Sequence, residues 1–142
     1  MFQEIRFRAS VLIIVFIVTG ILSSCNLPGA AKADLEGTRW QVETIDGAAP
    51  AAGVVITAEF NDGRISGSAG CNSYGAAYSA KDGSLSLEAV ASTQMYCVEE
   101  GVMDAEAQFL GALGKVKGYS TANDRLELLD ESGKVLMTFT KQ

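Results

Sequence analysis

The chain has 142 residues, with 11 basic against 17 acidic side chains, a net charge of −6 and no histidine. The acidic balance argues against nucleic acid, whose phosphates need clustered Lys and Arg, and against holding anionic lipid through surface charge. The absence of histidine removes Ser-His-Asp and Cys-His catalysis, the usual imidazole general base and most zinc or copper sites.

Residues 1–8 place Arg6 and Arg8 against Glu4, and the apolar run VLIIVFIVTGIL follows over 11–22. A membrane-spanning helix takes about 20 apolar residues, so this run is too short to span. A basic start, a short apolar middle and small residues at the end predict a secretory signal over 1–24. Its end, Leu22-Ser23-Ser24-Cys25, resembles the lipobox of bacterial lipoproteins. That resemblance implies cleavage after Ser24 and a diacylglyceryl thioether on Cys25; the rival reading is an ordinary signal peptide with a coincidental cysteine. Two or three acyl chains hold far more firmly than one, so the expectation is permanent membrane anchorage with the rest of the chain outside the cytoplasm. Asn26 stands where an aspartate would signal inner-membrane retention, which points to the outer membrane in a two-membrane bacterium.

The stretch NLPGAAKADLE has no period, so residues 25–36 are expected to form a flexible tether ahead of a domain over 37–142. Removing the signal leaves 9 of the 11 basic and 16 of the 17 acidic side chains, a balance of −7. From Gly37 the pattern alternates with period 2: residues 38–45 (TRWQVETI) and 54–60 (VVITAEF) read as half-buried strands with Trp40, Val42, Ile56, Ala58 and Phe60 inward. Asn61-Asp62-Gly63, Lys81-Asp82-Gly83 and Glu131-Ser132-Gly133 read as three-residue hairpin loops with glycine at positive φ, and Asn123-Asp124 as a two-residue turn. Strands are therefore expected over 64–69, 77–80, 84–89, 115–122, 125–130 and 134–140. Val116, Leu126, Leu128, Val135, Met137 and Phe139 supply the core face of the last three.

Residues 99–113 (EEGVMDAEAQFLGAL) change to helical spacing through Val102, Ala105, Phe109 and Ala112, with acidic residues early and Gly114 as a stop. The predicted class is α+β, β-rich: a curved antiparallel sheet or barrel-like meander of about seven or eight strands with one amphipathic helix.

With Cys25 lipidated, Cys71 and Cys97 are the remaining thiols, and a pair in an extracytoplasmic domain of this size is expected to form a disulfide. The alternative is a thiol redox or thiol-sensing protein using Cys71 and Cys97. Their spacing is not that of a C-x-x-C motif, and no Lys or Arg lies close in sequence to lower a thiol pKa.

The order Trp40, SGSAGCNSYGAAY (66–78), Leu85 and Leu87, ASTQMYC (91–97), Glu106-x-x-Phe109-Leu110-x-x-Leu113 and LELL resembles the META domain, also called HslJ-like, from about residue 37 to 139. The resemblance implies a β-rich domain with one helix, frequently on the cell envelope, linked in some members to heat shock, drug tolerance or virulence, and with no established catalysis or cofactor. Gly70, Asn72, Thr93 and Met95 carry the motif and are read as structural. Gly70 and Gly75 would turn the chain, Asn72 would bond its own backbone, and Thr93 would satisfy a backbone group. Met95 and Trp40 are expected in the core, and Glu106 at the surface. Asp62, Asp82 and Asp124 lack the spacing of a calcium loop, so no metal is expected. The adjacent carboxylates Glu99 and Glu100 would point apart on a helix and make no acid/base pair. Val55, Leu129 and Leu136 fall opposite the core faces and are expected to cluster in part as an exposed apolar patch. The function expected is a non-catalytic envelope lipoprotein that binds a partner protein or a small amphiphile.

Overall fold

The computed structural model describes residues 35–142; the signal segment 1–24, the Cys25 lipid site and the tether up to residue 34 lie outside the described residues. Those described form strands β1 (Thr38–Ile45), β2 (Thr57–Asn61), β3 (Arg64–Ser68), β4 (Ser73–Lys81) and β5 (Ser84–Ser92), then helix α1 (Val102–Leu113) and strands β6 (Gly118–Ala122), β7 (Arg125–Leu129) and β8 (Val135–Lys141). Each strand pairs antiparallel with the next, and β8 returns to β1 through pairs such as Val42↔Phe139. The sheet is therefore a closed eight-stranded barrel in meander order, with α1 inserted between β5 and β6.

Turn chemistry sets the meander. Asp62-Gly63 and Asp82-Gly83 take positive φ at both positions (51 and 69°, 55 and 84°), so these are two-residue loops of the I′ kind and not the three-residue loops expected. The I′ turn matches the right-handed twist of its strands, and aspartate tolerates the left-handed region well enough to occupy its first position. Asn61 and Lys81 consequently stay in their strands. The third connection keeps the longer form: Asp130 N–H donates to Lys134 O, Gly133 N–H donates to Asp130 O, and Gly133 has φ 82°.

The core gathers the inward faces of all strands and the apolar side of α1. Phe60, Ile65, Phe109, Leu126, Leu128, Met137 and Phe139 have lost all solvent contact. Phe109 meets Tyr74 edge-on at 5.0 Å between ring centres. Two residues read as tether are packed: Leu35 is buried, and Glu36 accepts hydrogen bonds from the N–H of Asp62 and Gly63 and from the Tyr78 hydroxyl.

Several expectations need correction. Val135 is exposed and Leu136 buried, the reverse of the alternation, because bulges at Val42/Thr44 and Leu128/Leu129 interrupt the two-residue period where β8 meets both neighbours. Leu136 therefore cannot join Val55 and the half-buried Leu129 in an exposed patch. Helix α1 starts at Val102 and not at Glu99, since Gly101 sits at φ 78° and cannot be a helical residue. Gly75 is an interior residue of β4, beside the bulge opposite Ala89, and the strand begins four residues before the expected Ala77.

Candidate functional site

The motif residues converge where β3 ends, β4 begins and the loop after β5 crosses the N-terminal half of α1. After Ser68 the chain reverses through Gly70, whose φ of 116° suits glycine, and a Cβ there would lie 3.2 Å from the Val54 side chain. Cys71 then bonds Cys97 across 26 residues, with 5.9 Å between the Cα atoms. Next comes Asn72, buried at 2 % exposure.

Asn72 uses every polar group it has. Its backbone N–H donates to Glu106 Oε2 at 2.6 Å, and its Nδ2 donates to Glu106 Oε1 at 2.6 Å and to Met95 O at 3.0 Å. Its Oδ1 accepts from Met95 N–H at 2.7 Å and from the Thr93 hydroxyl at 2.8 Å, while its carbonyl accepts from Ala69 N–H. One side chain thus grips both backbone groups of Met95 and ties three chain segments together. The expectation that Asn72 bonds its own turn is corrected: burial and a helix carboxylate turn it toward the distant loop instead.

Thr93 Oγ1 also accepts from Ser73 N–H, and Thr93 N–H donates to Ser73 O, which extends the β4–β5 ladder by one pair. Met95 is held by its backbone while its side chain is 61 % exposed, so the core position expected for it is wrong. Glu106 is likewise not a surface group: it is 6 % exposed, with Asn72 as the partner that makes burial of a carboxylate tolerable. The signal for its burial lies in the sequence, since Glu106, Phe109 and Leu113 recur at helical spacing on one face.

Each cysteine of the disulfide lies in a stretch of sequence without basic residues. No Lys or Arg occurs between Arg64 and Lys81 or between Lys81 and Lys115, so nothing nearby in sequence would favour a thiolate. The bridge fixes the same loop that Asn72 grips, and Cys97 N–H adds a contact to the Met103 sulfur. Tyr74, beside this layer, donates to Thr57 O at 2.9 Å, and burial pushes its hydroxyl pKa well up. Sequence reading missed Gly67 altogether: a Cβ there would lie 2.2 Å from Thr57 O, so only a hydrogen fits where β3 passes β2.

Two clefts lie away from this cluster. One of about 280 Å³ is lined by Lys115, Lys117, Asp130 and Glu131. The other, about 190 Å³, includes Arg39, Glu59, Gly67 and Gln142. Among the described residues no group of three or more His, Cys, Asp or Glu is placed to hold a metal ion.

A closed meander barrel carrying one inserted helix, with a buried Asn–Glu node and a disulfide clasping one loop, defines a small antiparallel β-barrel domain. The chain belongs to the META domain family, which it matches over residues 33–142. It is similar in structure to an NMR structure of a protein from Burkholderia xenovorans, with 28% identity and a TM-score of 0.62, over 76% of this chain and 83% of that one. A second NMR structure is similar at 19% identity and a TM-score of 0.58, over 73% of this chain and 88% of that one, a likeness of fold alone. No curated protein matches this sequence.

Proposed function

We propose that this protein is a lipid-anchored lipoprotein of the bacterial envelope, HslJ-like in kind. Its META domain works without catalysis, by holding a partner protein or a small amphiphile in support of envelope stress or drug tolerance. The observation that carries the reading is the run Leu22-Ser23-Ser24-Cys25 at the end of a short apolar segment. Leu35, the first packed residue described, follows Cys25 by ten positions, a span of at most about 36 Å when extended. An acylated Cys25 would therefore keep the barrel within about one domain diameter of the bilayer.

The node supports a scaffold role. Every polar group of Asn72 is spent on structure, and among the described residues no buried side-chain polar atom lacks a hydrogen-bond partner. The test is to express the full chain in a bacterium and fractionate its membranes. The wild type is expected in the membrane fraction with an acylated N-terminal Cys25, and Cys25→Ala in the soluble fraction or with an uncleaved signal. A wild-type protein of unmodified mass released from membranes by salt would overturn the anchor.

A further inference from the structure

The barrel closes thinly at β5. This strand pairs with β4 from Lys81↔Ser84 to Tyr74↔Ser92, yet it meets β6 at the single pair Ser84↔Gly118, supported by Leu85 N–H to Lys117 O. Among the described residues, the outer edge from Leu87 to Ser92 pairs with no other strand. Residues 88–92 are all exposed. Interrupted at the Ala89 bulge, where φ is 52°, the edge on either side is a template for another extended segment.

Beside the edge, the 93–98 loop displays Met95, Tyr96 and Val98 at 61, 80 and 84 % exposure, with Val90 of β5 also exposed. Its backbone is fixed, because Asn72 holds both polar groups of Met95 and Cys97 is bridged to Cys71. Apolar side chains on a fixed backbone lose less freedom on binding than those on a loose loop.

Charge selects the occupant. From Asp82 to Gly114 the chain has no Lys or Arg and carries Asp82, Glu88, Glu99, Glu100, Asp104 and Glu106, of which only Glu106 is buried. A second copy would bring Glu88, Glu99 and Glu100 toward their own like, and an anionic bilayer would be repelled. The rim also lies away from the anchored end: Glu36 sits on the Asp62-Gly63 turn that opens β3, whereas Cys71 and Asn72 follow the other end of that strand. Resting on the partner-binding reading above, we propose that the β5 edge from Leu87 to Ser92, with Met95, Tyr96 and Val98, docks an extended segment of a partner protein. That segment is basic and apolar and adds to the barrel as a strand.

The test uses the full lipoprotein in neutral detergent micelles with three fluorescent nonapeptides: alternating Lys-Val, alternating Glu-Val, and Lys-Val N-methylated along one edge. The Lys-Val peptide is expected to bind at least tenfold more tightly than either of the others. Tyr96→Lys and Val90→Lys are each expected to weaken it fivefold or more while leaving the emission of buried Trp40 unchanged. Equal affinity for all three peptides, insensitivity to N-methylation, or photocrosslinks outside residues 87–98 would overturn the docking edge. So would a dimer in sedimentation whose cross-links join β5 to β5. In cells, a crosslinker replacing Ser92 is expected to form adducts that one replacing Asp124, at the far hairpin, does not. Adducts from position 124 alone would overturn the edge and leave partner binding standing, whereas none from any exposed position would defeat both.

Discussion

Asn72 and Glu106, 34 residues apart, are joined by two hydrogen bonds of 2.6 Å, one from the Asn72 backbone N–H and one from its side-chain amide. A carboxylate offers two acceptors to two donors here, and no other side chain of its length does so. Glu106→Gln would turn an amide NH2 toward one of those N–H groups at a buried position. We expect a loss of about 2–4 kcal/mol, the range for removing a charge-assisted partner from a buried group. Asn72→Ala should cost a similar amount, and the double variant much less than the sum, because the two residues act on one network. Urea unfolding followed by the emission of Trp40, the sole tryptophan and buried, measures all three. Additive losses would show that the pair is not a unit.

The disulfide and the Asn72 grip hold one loop from its two sides. Replacing Cys71 and Cys97 by serine reopens a 26-residue span and should lower stability by about 3–4 kcal/mol on the chain-entropy account. The fold should survive, since Asn72 still binds Met95 N–H and O. Hydrogen exchange at the Met95 amide should therefore rise modestly in the double-serine variant and steeply once Asn72→Ala is added. Alkylation of the unreduced wild-type protein should label neither cysteine. Labelling of both would instead favour the thiol redox reading.

Gly67 should tolerate no side chain. A methyl group would lie 2.2 Å from Thr57 O, a backbone atom that cannot swing aside, so Gly67→Ala must separate β2 from β3. A loss of about 2–4 kcal/mol is expected, within the range of severe overpacking. Gly111, on the exposed side of α1, has nothing within 4 Å of the place a methyl group would take, and it is the control. Gly111→Ala should stabilise by up to about 1 kcal/mol through helix propensity. Equal effects from the two substitutions would refute the close approach.

Elements carried by repetition are legible in the sequence, and those set by distant contact are not. Alternation through Trp40 and Val42 locates β1 at Thr38–Ile45, because one face of it is buried and the period holds until the bulge at Val42/Thr44 moves the next buried position to Ile45. The same rule fails at Val135 and Leu136, where two bulges shift the pairing and no local residue type announces them. The motif residues Gly70, Asn72, Thr93 and Met95 stand out in the sequence, yet their partners do not. Asn72 looks like a turn residue until α1 brings Glu106 against it, and that approach depends on how the helix sits on the barrel. The apolar side chain of Met95 suggests a place in the core, although its backbone is the part that the fold uses. Alternation alone does not decide between an open sheet and a barrel, because the β8–β1 pairing that closes the ring is the most distant in the chain.

Acid should loosen the end of the barrel at the Asp62-Gly63 turn through Glu36. Its carboxyl accepts from the Tyr78 hydroxyl at 2.7 Å and from the Asp62 and Gly63 N–H groups, which together hold its pKa below the ordinary value of 4.5. Asp130, bonded by the Ser132 hydroxyl and the N–H groups of Lys134 and Ser132, is shifted the same way. A depressed folded-state pKa means that the unfolded chain binds the proton more readily, so stability rises with pH across the interval between the two values. The contribution is present in full above about pH 5 and disappears as the pH falls through the folded-state pKa. Glu36→Gln removes the titrating group, so its urea midpoint should lie below that of the wild type at pH 7 and approach it at pH 3. Both groups are solvent-exposed, which keeps each contribution small, so the comparison needs midpoints at pH 7, 5 and 3 for the single variants and for Glu36→Gln with Asp130→Asn. Wild-type and Glu36→Gln midpoints that fall in parallel would show that the clamp on the Asp62-Gly63 turn contributes nothing to the acid limb.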